Sequence, residues 1–330
     1  MRSIPSPDDA FLGAASRNGE SRANIPTYYD RPMLKAPHWE WNVITYLFLG
    51  GVMGGSGILA ALAQRSEDEP LERTSRYLSI LLAAACPVLL ISHLGRPERF
   101  LNMTRIVKFK SPMSMGVWGL MGYAAFAGLN AIAQLSRDGI LPRWVERLEP
   151  KPVTTGMQAA FGAFTAGYTG VLLSATAIPL WGKGKYHIPA MSVCSAIAGA
   201  CAANSVLLGG RSDAGAVQRK LERFEAFASL AELAVLLHFR AYAGSTGKPM
   251  YEGARGERLR KCTIGAGIIA PLLLNSPSLL SRNHSRPASK LRTLLAGGLA
   301  LAGGYILRQT LIEAGKASAD DPAEAFVQPR

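Results

Sequence analysis

Cysteine and histidine are scarce in this chain, which has four cysteines and five histidines among 330 residues. No C-x-x-C pair occurs, and the cysteines and histidines do not cluster in the sequence. Iron–sulfur clusters and zinc sites need closely spaced thiolate or imidazole ligands. We therefore expect no metal site and no iron–sulfur cluster in this chain. We interpret its cysteines as small apolar residues: Cys86, Cys194, Cys201 and Cys262.

The shortage of histidine also bears on haem. Two haems held within a helical bundle would need four histidines at paired depths. Only His93 and His238 lie within predicted spans at suitable depths. A pair of haems is therefore excluded, and a single haem between these two residues is left as an alternative. We expect that the protein holds no haem.

Acidic residues are fewer than basic ones, 23 against 36, which gives a formal net charge of +13. In a soluble protein such an excess would suggest a nucleic-acid partner. Here the lysines and arginines lie between long apolar segments, where they anchor loops to lipid headgroups or meet an acidic surface of another protein. We therefore predict contact with membrane lipid and no binding of nucleic acid.

Long apolar runs are the dominant feature of the sequence. Eight of them approach the ~20 residues that a helix needs to cross about 30 Å of hydrocarbon. The mean hydropathy is only +0.13, because polar tails and charged loops dilute these runs. The pattern predicts an all-α, multi-pass membrane protein whose spans cover residues 43–64, 76–94, 113–136, 156–182, 189–209, 223–243, 261–280 and 292–313.

Polar segments flank the predicted spans. Residues 1–42 hold no continuous apolar segment, so we expect an extended tail without a cleavable signal peptide, and residues 314–330 form a second polar tail. Eight spans would place both tails on one face of the membrane, called side A here, together with loops 95–112, 183–188 and 244–260. The opposite face is called side B. Basic residues are too evenly distributed to fix the orientation.

Aromatic and polar side chains occur near the side A ends of several spans. Tyr46 lies one turn into the first span, Tyr168 lies within the fourth, and His93 ends the second. A buried phenol needs an acceptor, which is either a protein carbonyl or a ligand carbonyl such as a quinone oxygen. Histidine exchanges protons near neutral pH, or simply bonds a loop carbonyl. Trp41 opens the first span, where an interfacial aromatic residue is the ordinary interpretation.

Ionisable and amide side chains also lie within the spans. Glu225 and Glu232 share one face of the sixth span, and Asn130 and Asn204 lie at a similar depth in the side B half. Because carboxylates within a span are costly, they usually face a wet cavity or a partner. These four residues are candidates for a proton relay. Arg308, deep in the eighth span, needs a counter-charge or carbonyl partners, and Glu313 is close by in the sequence. A structural ion pair is the alternative interpretation.

Four segments of the sequence form a pattern shared with a known family. They are W-E-W at 39–41 with Y-L-F-L-G-G at 46–51, L-G-R-P at 94–97 with S-P-M-S-M-G at 111–116, Y-T-G-V-L-L-S at 168–174 with P-L-W at 179–181, and G-G at 303–304 with L-R at 307–308. With them the protein resembles the NrfD-like family, the membrane subunits of polysulfide reductase and related complexes. The resemblance covers spans one to four and part of span eight.

The resemblance implies a fold and an assembly. The fold would be two four-helix bundles, with spans one to four and a quinone site in residues 43–182, and spans five to eight in residues 189–313. The protein would bind menaquinone or ubiquinone, as quinone or quinol, and hold no prosthetic group. Its partners would be a ferredoxin-like iron–sulfur subunit and a molybdopterin catalytic subunit at the inner membrane.

The resemblance also implies roles for single residues. Tyr168 falls on the family's quinone-contacting tyrosine of the fourth span. Tyr46 falls where some members have a quinone-contacting histidine, and His93 falls where members have Asp or Glu. Trp41 would add an aromatic wall to this quinone site.

The leading hypothesis is a quinone-reactive subunit of an oxidoreductase complex, without catalytic activity in isolation. Translocation of protons through the polar residues of the spans would be an additional role. Two alternatives stay open, a transporter and a passive membrane anchor without a quinone site. Transporters often contain paired broken helices in two related halves, whereas Pro87, Pro179 and Pro271 are not at equivalent positions of two repeats.

Overall fold

The computed structural model describes residue 34 and residues 37–94, 96, 98, 100–146, 151–209, 211, 214–280 and 289–320. Regular secondary structure within these residues is entirely helical, which confirms the predicted all-α class. Most of the predicted N-terminal tail, the predicted C-terminal tail beyond residue 320, and Gly95, Pro97 and Arg99 lie outside the described residues.

The long helices are numbered here in sequence order. They are α1 (Trp41–Arg65), α2 (Glu69–Ser92), α3 (Pro112–Arg137), α4 (Lys151–Ser174), α5 (His187–Leu208), α6 (Gly215–Ala243), α7 (the consecutive pieces Gly253–Arg258, Leu259–Ile269 and Ala270–Leu280) and α8 (Lys290–Ala319). Within the described residues, six helices are long and apolar enough to cross a membrane: α1, α2, α3, α5, α6 with its continuation to Tyr251, and α8. These helices identify a membrane protein.

The fourth and seventh predicted spans, helices α4 and α7, are not among the helices that are long and apolar enough to cross a membrane. Helix α4 has 24 residues but contains four glycines and four threonines, which lower its hydropathy. Helix α7 is divided, because Leu259–Ile269 is a π-helix between two α-helical pieces. The count of eight spans and their grouping into two four-helix bundles therefore stay predictions.

Several helix boundaries differ clearly from the sequence prediction. Helices α2, α6 and α7 begin seven or eight residues before the predicted starts at 76, 223 and 261. Helix α4 ends at Ser174 instead of continuing to 182, and a separate short helix, Pro179–Lys183, follows. Proline at the first position of this short helix explains the interruption, because the residue before it, Ile178, is forced into an extended conformation (φ −71°, ψ 123°). Helix α8 continues to Ala319, so the beginning of the predicted C-terminal tail is helical.

The helix contacts form two rings. In the first ring α1 packs against α2 and α4, and α3 packs against the same two helices. In the second ring α5 packs against α6 and α8, and α7 packs against the same two helices. Helices α1 and α4 pack against α5, and α1 also contacts α8, so α1 and α5 lie where the rings meet.

Glycines allow the close approach of these helices. A Cβ added at Gly54 of α1 would overlap the backbone of Gly162 in α4, and one added at Gly55 would overlap the backbone of Ala196 in α5. Such small-residue contacts are typical of helix packing within membranes, where lipid competes equally for large apolar side chains. Helix α1 therefore occupies a tightly enclosed position.

Candidate functional site

Tyr46 and Tyr168 line one narrow cavity between α1, α3 and α4, and its volume of ≈ 10 Å³ is about that of a single water site. Both side chains are buried, with 8% and 7% of their surface exposed. The rest of the lining is mostly apolar: Leu47, Gly50, Met53, Gly116, Leu120, Thr165 and Thr169. We call this space the tyrosine cavity. It brings together two of the four residues that the sequence proposes for a quinone site.

The Tyr168 hydroxyl has a protein acceptor. It donates a hydrogen bond to the backbone carbonyl of Pro112, at the side A end of α3, over 2.9 Å. The Tyr168 ring rests on Gly116, where an added Cβ would overlap the ring. Because glycine is required at this contact, the S-P-M-S-M-G segment both holds the phenol and makes room for it.

The Tyr46 hydroxyl is in a different situation. No described residue accepts a hydrogen bond from it, although the side chain is buried and lies on the cavity wall. A buried donor without an acceptor costs about 1–3 kcal/mol. The cavity therefore presents a hydrogen-bond donor that a bound acceptor would satisfy.

His93 and Trp41 do not line the tyrosine cavity. His93 is half-buried and follows the last residue of α2, next to residues outside the described part of the protein. Trp41 is the first residue of α1 and is 65% exposed. The structure thus leaves Trp41 at the surface, as an interfacial aromatic residue would be.

The enclosed tryptophans are instead Trp39 and Trp181. Their rings stack with centroids 5.3 Å apart and planes 15° apart. The Trp181 indole donates to the carbonyl of Leu311 over 3.0 Å, and the Lys316 ammonium donates to the carbonyl of Trp39 over 2.6 Å. These contacts fasten the segment before α1 and the short helix Pro179–Lys183 to the end of α8.

His238 has a partner other than His93. Its Nδ1 lies 2.8 Å from Nε2 of His187, which begins α5, and the two rings stack. The Tyr242 ring packs on the other side of His187. The pair joins the side A ends of α5 and α6.

The predicted relay residue Glu232 lies opposite Arg308. Glu232 lies near the side chain of Ser195 and interacts electrostatically with Arg308, without a direct ion pair between them in the described structure. The guanidinium also donates to the carbonyl of Ser192 over 3.1 Å. Both charged groups are buried, so the counter-charge that the sequence requires for Arg308 is Glu232, whereas the nearby Glu313 pairs with Arg258 at 2.8 Å.

Glu225 is buried two turns before Glu232 on α6, and its Oε1 has no hydrogen-bond partner among the described residues. The carboxylate of Glu222 lies close to it and pairs with Arg292 at 3.4 Å. Burial of two neighbouring carboxylates is costly unless one holds a proton. Glu225 and Glu232 thus form one candidate group along α6.

Asn204 and Asn130 do not join this group. Asn204 accepts a hydrogen bond from Ser75 of α2 over 3.0 Å and fixes the contact between α2 and α5. Asn130 donates to the side chain of Gln158 across α3 and α4. The four predicted relay residues are therefore divided between the two rings of helices.

A hydrogen-bonded network inside the first ring was missed by the sequence reasoning. Arg76, with no exposed surface, pairs with Glu72 at 2.9 Å and donates to the carbonyl of Asn130 over 3.2 Å. From Asn130 the network extends through Gln158 to the Tyr123 hydroxyl, 3.3 Å from Gln158 Nε2.

Tyr123 ends this network at the tyrosine cavity. Its hydroxyl donates to the carbonyl of Met53, a residue of the cavity wall, and lies 3.0 Å from the hydroxyl of Ser79. At the outer end of the network, Glu72 lines a charged surface cavity. The i, i+4 spacing of Glu72 and Arg76 is a sequence signal, but it was hidden because the predicted second span began at 76.

A family model described as polysulphide reductase, NrfD, matches residues 32–319 of the protein. The protein NrfD of Escherichia coli is 29% identical over 156 residues, which are 42% of this sequence and 49% of that protein. An NrfD homolog of Haemophilus influenzae is 28% identical over the same shares of the two sequences. One chain of the polysulfide reductase of Wolinella succinogenes is 31% identical over 91 residues, 26% of this sequence and 29% of that one.

The pairwise matches are partial, because the aligned part spans about half the length of the NrfD relatives. The family model, by contrast, runs from before α1 to the end of α8 and so includes the tyrosine cavity, the Glu232–Arg308 pair and the Trp39–Trp181 stack. On that match the protein belongs to the polysulphide reductase NrfD family.

Proposed function

We propose that this protein is the membrane subunit of a multi-subunit oxidoreductase and that the tyrosine cavity binds the head group of a quinone or quinol. The observation that carries the proposal is Tyr46, a buried side chain whose hydroxyl has no hydrogen-bond partner among the described residues, on a cavity shared with Tyr168. The polysulfide reductase relative is by its name one chain of a larger enzyme. A quinone has acceptor carbonyl oxygens on an apolar ring, and this ring would enter only if the side chains around the narrow cavity moved apart.

The chemistry asked of the protein is binding and proton exchange. Reduction of a quinone takes up two electrons and two protons and forms a quinol with two hydroxyl groups. Tyr46 would donate to a quinone oxygen, and Tyr168 would exchange the Pro112 carbonyl for that ligand. His93, at the same side A end, would pass protons to or from the solution. The electrons would come from an iron–sulfur cluster of a partner subunit.

The surface near side A supports docking of such a partner. The segment after the short helix Phe100–Arg105 combines exposed basic and exposed apolar side chains. Phe109 is 81% exposed and Ile106 is 59% exposed, between Arg105, Lys108 and Lys110. An iron–sulfur subunit with an acidic rim would fit this segment. A molybdopterin subunit would lie beyond it, and the location would be the inner membrane.

The test compares three tyrosine-to-phenylalanine variants in the assembled complex. Tyr46→Phe and Tyr168→Phe remove the two phenol donors of the cavity. Tyr251→Phe is the matched control, because its hydroxyl also donates to a backbone carbonyl, that of Leu236 at 3.1 Å, but in another part of the protein.

Each cavity variant is expected to lower quinol-dependent turnover about tenfold or more, as loss of one charge-stabilising hydrogen bond does. The control is expected to keep its turnover and to lose only about 1 kcal/mol of stability. Full turnover in both cavity variants would contradict a quinone site in the tyrosine cavity and would favour a passive anchor. Transport of a solute without any redox partner would instead favour a transporter.

A second role, proton translocation, rests on a separate observation. Glu225 and Glu232 are buried on one face of α6, and each has an Oε1 atom without a partner among the described residues. A relay from side B would pass through these carboxylates beside Asn204 of α5, and Asn130 would take part only from the first ring of helices. Glu232→Gln in proteoliposomes should abolish redox-driven acidification while quinol turnover continues. Equal acidification by the variant and the wild type would refute the relay.

A further inference from the structure

A second and larger cavity lies between α3 and α4 and is almost wholly apolar. Its volume is ≈ 690 Å³, within the ~300–1,000 Å³ of typical small-molecule sites. We call it the α3–α4 groove. Aromatic and thioether side chains form most of its walls: Phe109, Trp118, Met121, Met157, Phe161 and Phe164.

The groove is next to the tyrosine cavity. Phe164, a wall of the groove, packs against Tyr168 with ring centroids 5.7 Å apart and planes 32° apart. Met115 lines the groove, and the next residue, Gly116, supports the Tyr168 ring. The contact between the Phe164 and Tyr168 rings thus joins a wall of the groove to a wall of the tyrosine cavity.

The groove also has the position that a lipid-soluble tail requires. It is open toward the outside of the helix pair, where Met121 and Met157 are 39% and 41% exposed. In a membrane protein this side faces hydrocarbon and not water. From Met115 to Ala125 the groove follows ten residues of α3, or about 15 Å at the rise of an α-helix.

We propose that the α3–α4 groove binds the isoprenoid tail of the quinone whose head group occupies the tyrosine cavity. This inference rests on the proposed function. Flat, unsaturated isoprenoid units pack well on aromatic faces and polarizable thioethers. A tail tethered to a head group held by the tyrosines reaches the groove at a high effective concentration, an advantage that a free phospholipid tail lacks.

The test fills the groove from two positions that carry small exposed side chains. Ala125→Trp and Ala160→Trp place a ring in the groove from α3 and from α4 respectively. Ala84→Trp is the control, because Ala84 is also exposed on a membrane helix but does not line the groove. Turnover of the whole complex in detergent is measured with two quinones of one head group, one bearing a single isoprene unit and one bearing a long tail.

The expected result is a change that depends on tail length. Both groove variants should raise the KM for the long-tailed quinone at least about fivefold, since each buried methylene contributes about 0.8 kcal/mol. The KM for the short-tailed quinone should stay within about twofold of the wild-type value, as should both KM values of the control.

Other outcomes contradict the inference in distinguishable ways. Unchanged KM values for both quinones would mean that the groove holds bulk lipid. Equal rises for both quinones would mean that the groove variants disturb the head-group site, and the tail assignment would be wrong. Absence of turnover with either quinone in the wild-type complex would refute the proposed function itself, and the tail site with it.

Discussion

The Arg308 guanidinium of α8 and the Glu232 carboxylate of α6 are both buried in the second ring of helices and interact electrostatically without a direct ion pair in the described structure. Few other described polar groups reach these two residues: the side chain of Ser195 and the carbonyl of Ser192. A buried pair of this kind contributes little when both members are present, but either member alone is costly. The pair therefore makes a sharp prediction about single and double variants.

Arg308→Met should lower the free energy of unfolding by about 3–5 kcal/mol, because it leaves Glu232 without its counter-charge. The double variant Arg308→Met with Glu232→Leu should recover most of that loss. Arg258→Met is the control: its partner Glu313 is about a third exposed, so the cost should stay below about 1 kcal/mol. Unfolding in detergent measures all three, and a double variant no more stable than Arg308→Met would contradict the pairing.

Arg76→Met in α2 should also be strongly destabilising, by about 3 kcal/mol or more, because it removes the buried cation that contacts Glu72 and the Asn130 carbonyl. Arg73→Met is the matched control on the same helix. Its side chain is 50% exposed and pairs with Asp138 at the surface, so little change is expected. Equal thermal stability of the two variants would show that the buried network from Glu72 to Tyr123 does not contribute to stability.

Gly315→Ala should disturb the Trp39–Trp181 stack. An added Cβ at Gly315 would overlap the Trp181 indole, and such overpacking typically costs about 1–3 kcal/mol. Gly298→Ala, in the same helix, meets no atom within 4 Å and should be neutral or stabilising by up to about 1 kcal/mol. The measurements are thermal unfolding and the emission of tryptophan, which should shift only in the first variant.

Asp138 predicts a pH dependence at the side B surface. Partial burial raises its pKa, but hydrogen bonds from Tyr77 and Gln134 and the charge of Arg73 outweigh this, so the pKa lies below its ordinary value. A carboxylate with a lowered pKa stabilises the fold above its unfolded pKa, and the contribution is lost as the pH falls through the folded pKa. Asp138→Asn should therefore reduce stability at neutral pH and flatten its fall below about pH 4. Parallel acid unfolding curves of wild type and variant would contradict this.

The sequence predicted what depends on local pattern. Continuous apolar runs are enough to identify membrane helices, and the positions of Tyr46 and Tyr168 followed from family motifs. The exposure of Trp41 and the partial burial of Trp39 against Trp181 were not predictable, because Trp39 and Trp41 lie in one short segment. Which tryptophan is enclosed depends on Trp181, which is far away in the sequence.

The partners of the buried polar residues could not be predicted from the sequence either. Glu232 and Arg308 were each recognised as residues in need of a partner, but nothing local joins α6 to α8. Arg76 and Gln158 lie near predicted span ends, where a charged or amide side chain is ordinarily exposed. The burial of Arg76 and Gln158 is evident only in the folded structure, because it depends on contacts between α2, α3 and α4.

Helix α1 precedes the other described helices in the sequence, yet α2, α4, α5 and α8 all pack against it. The glycines of α1 fit against the backbones of α4 and α5. Because they lack side chains, they make few contacts with lipid tails. During insertion α1 enters the bilayer before the helices that pack against it, α2, α4, α5 and α8. Helix α8, the last of the described helices, is thus needed to enclose α1, and a polypeptide that stops before α8 should leave α1 open to exchange with lipid and to proteolysis.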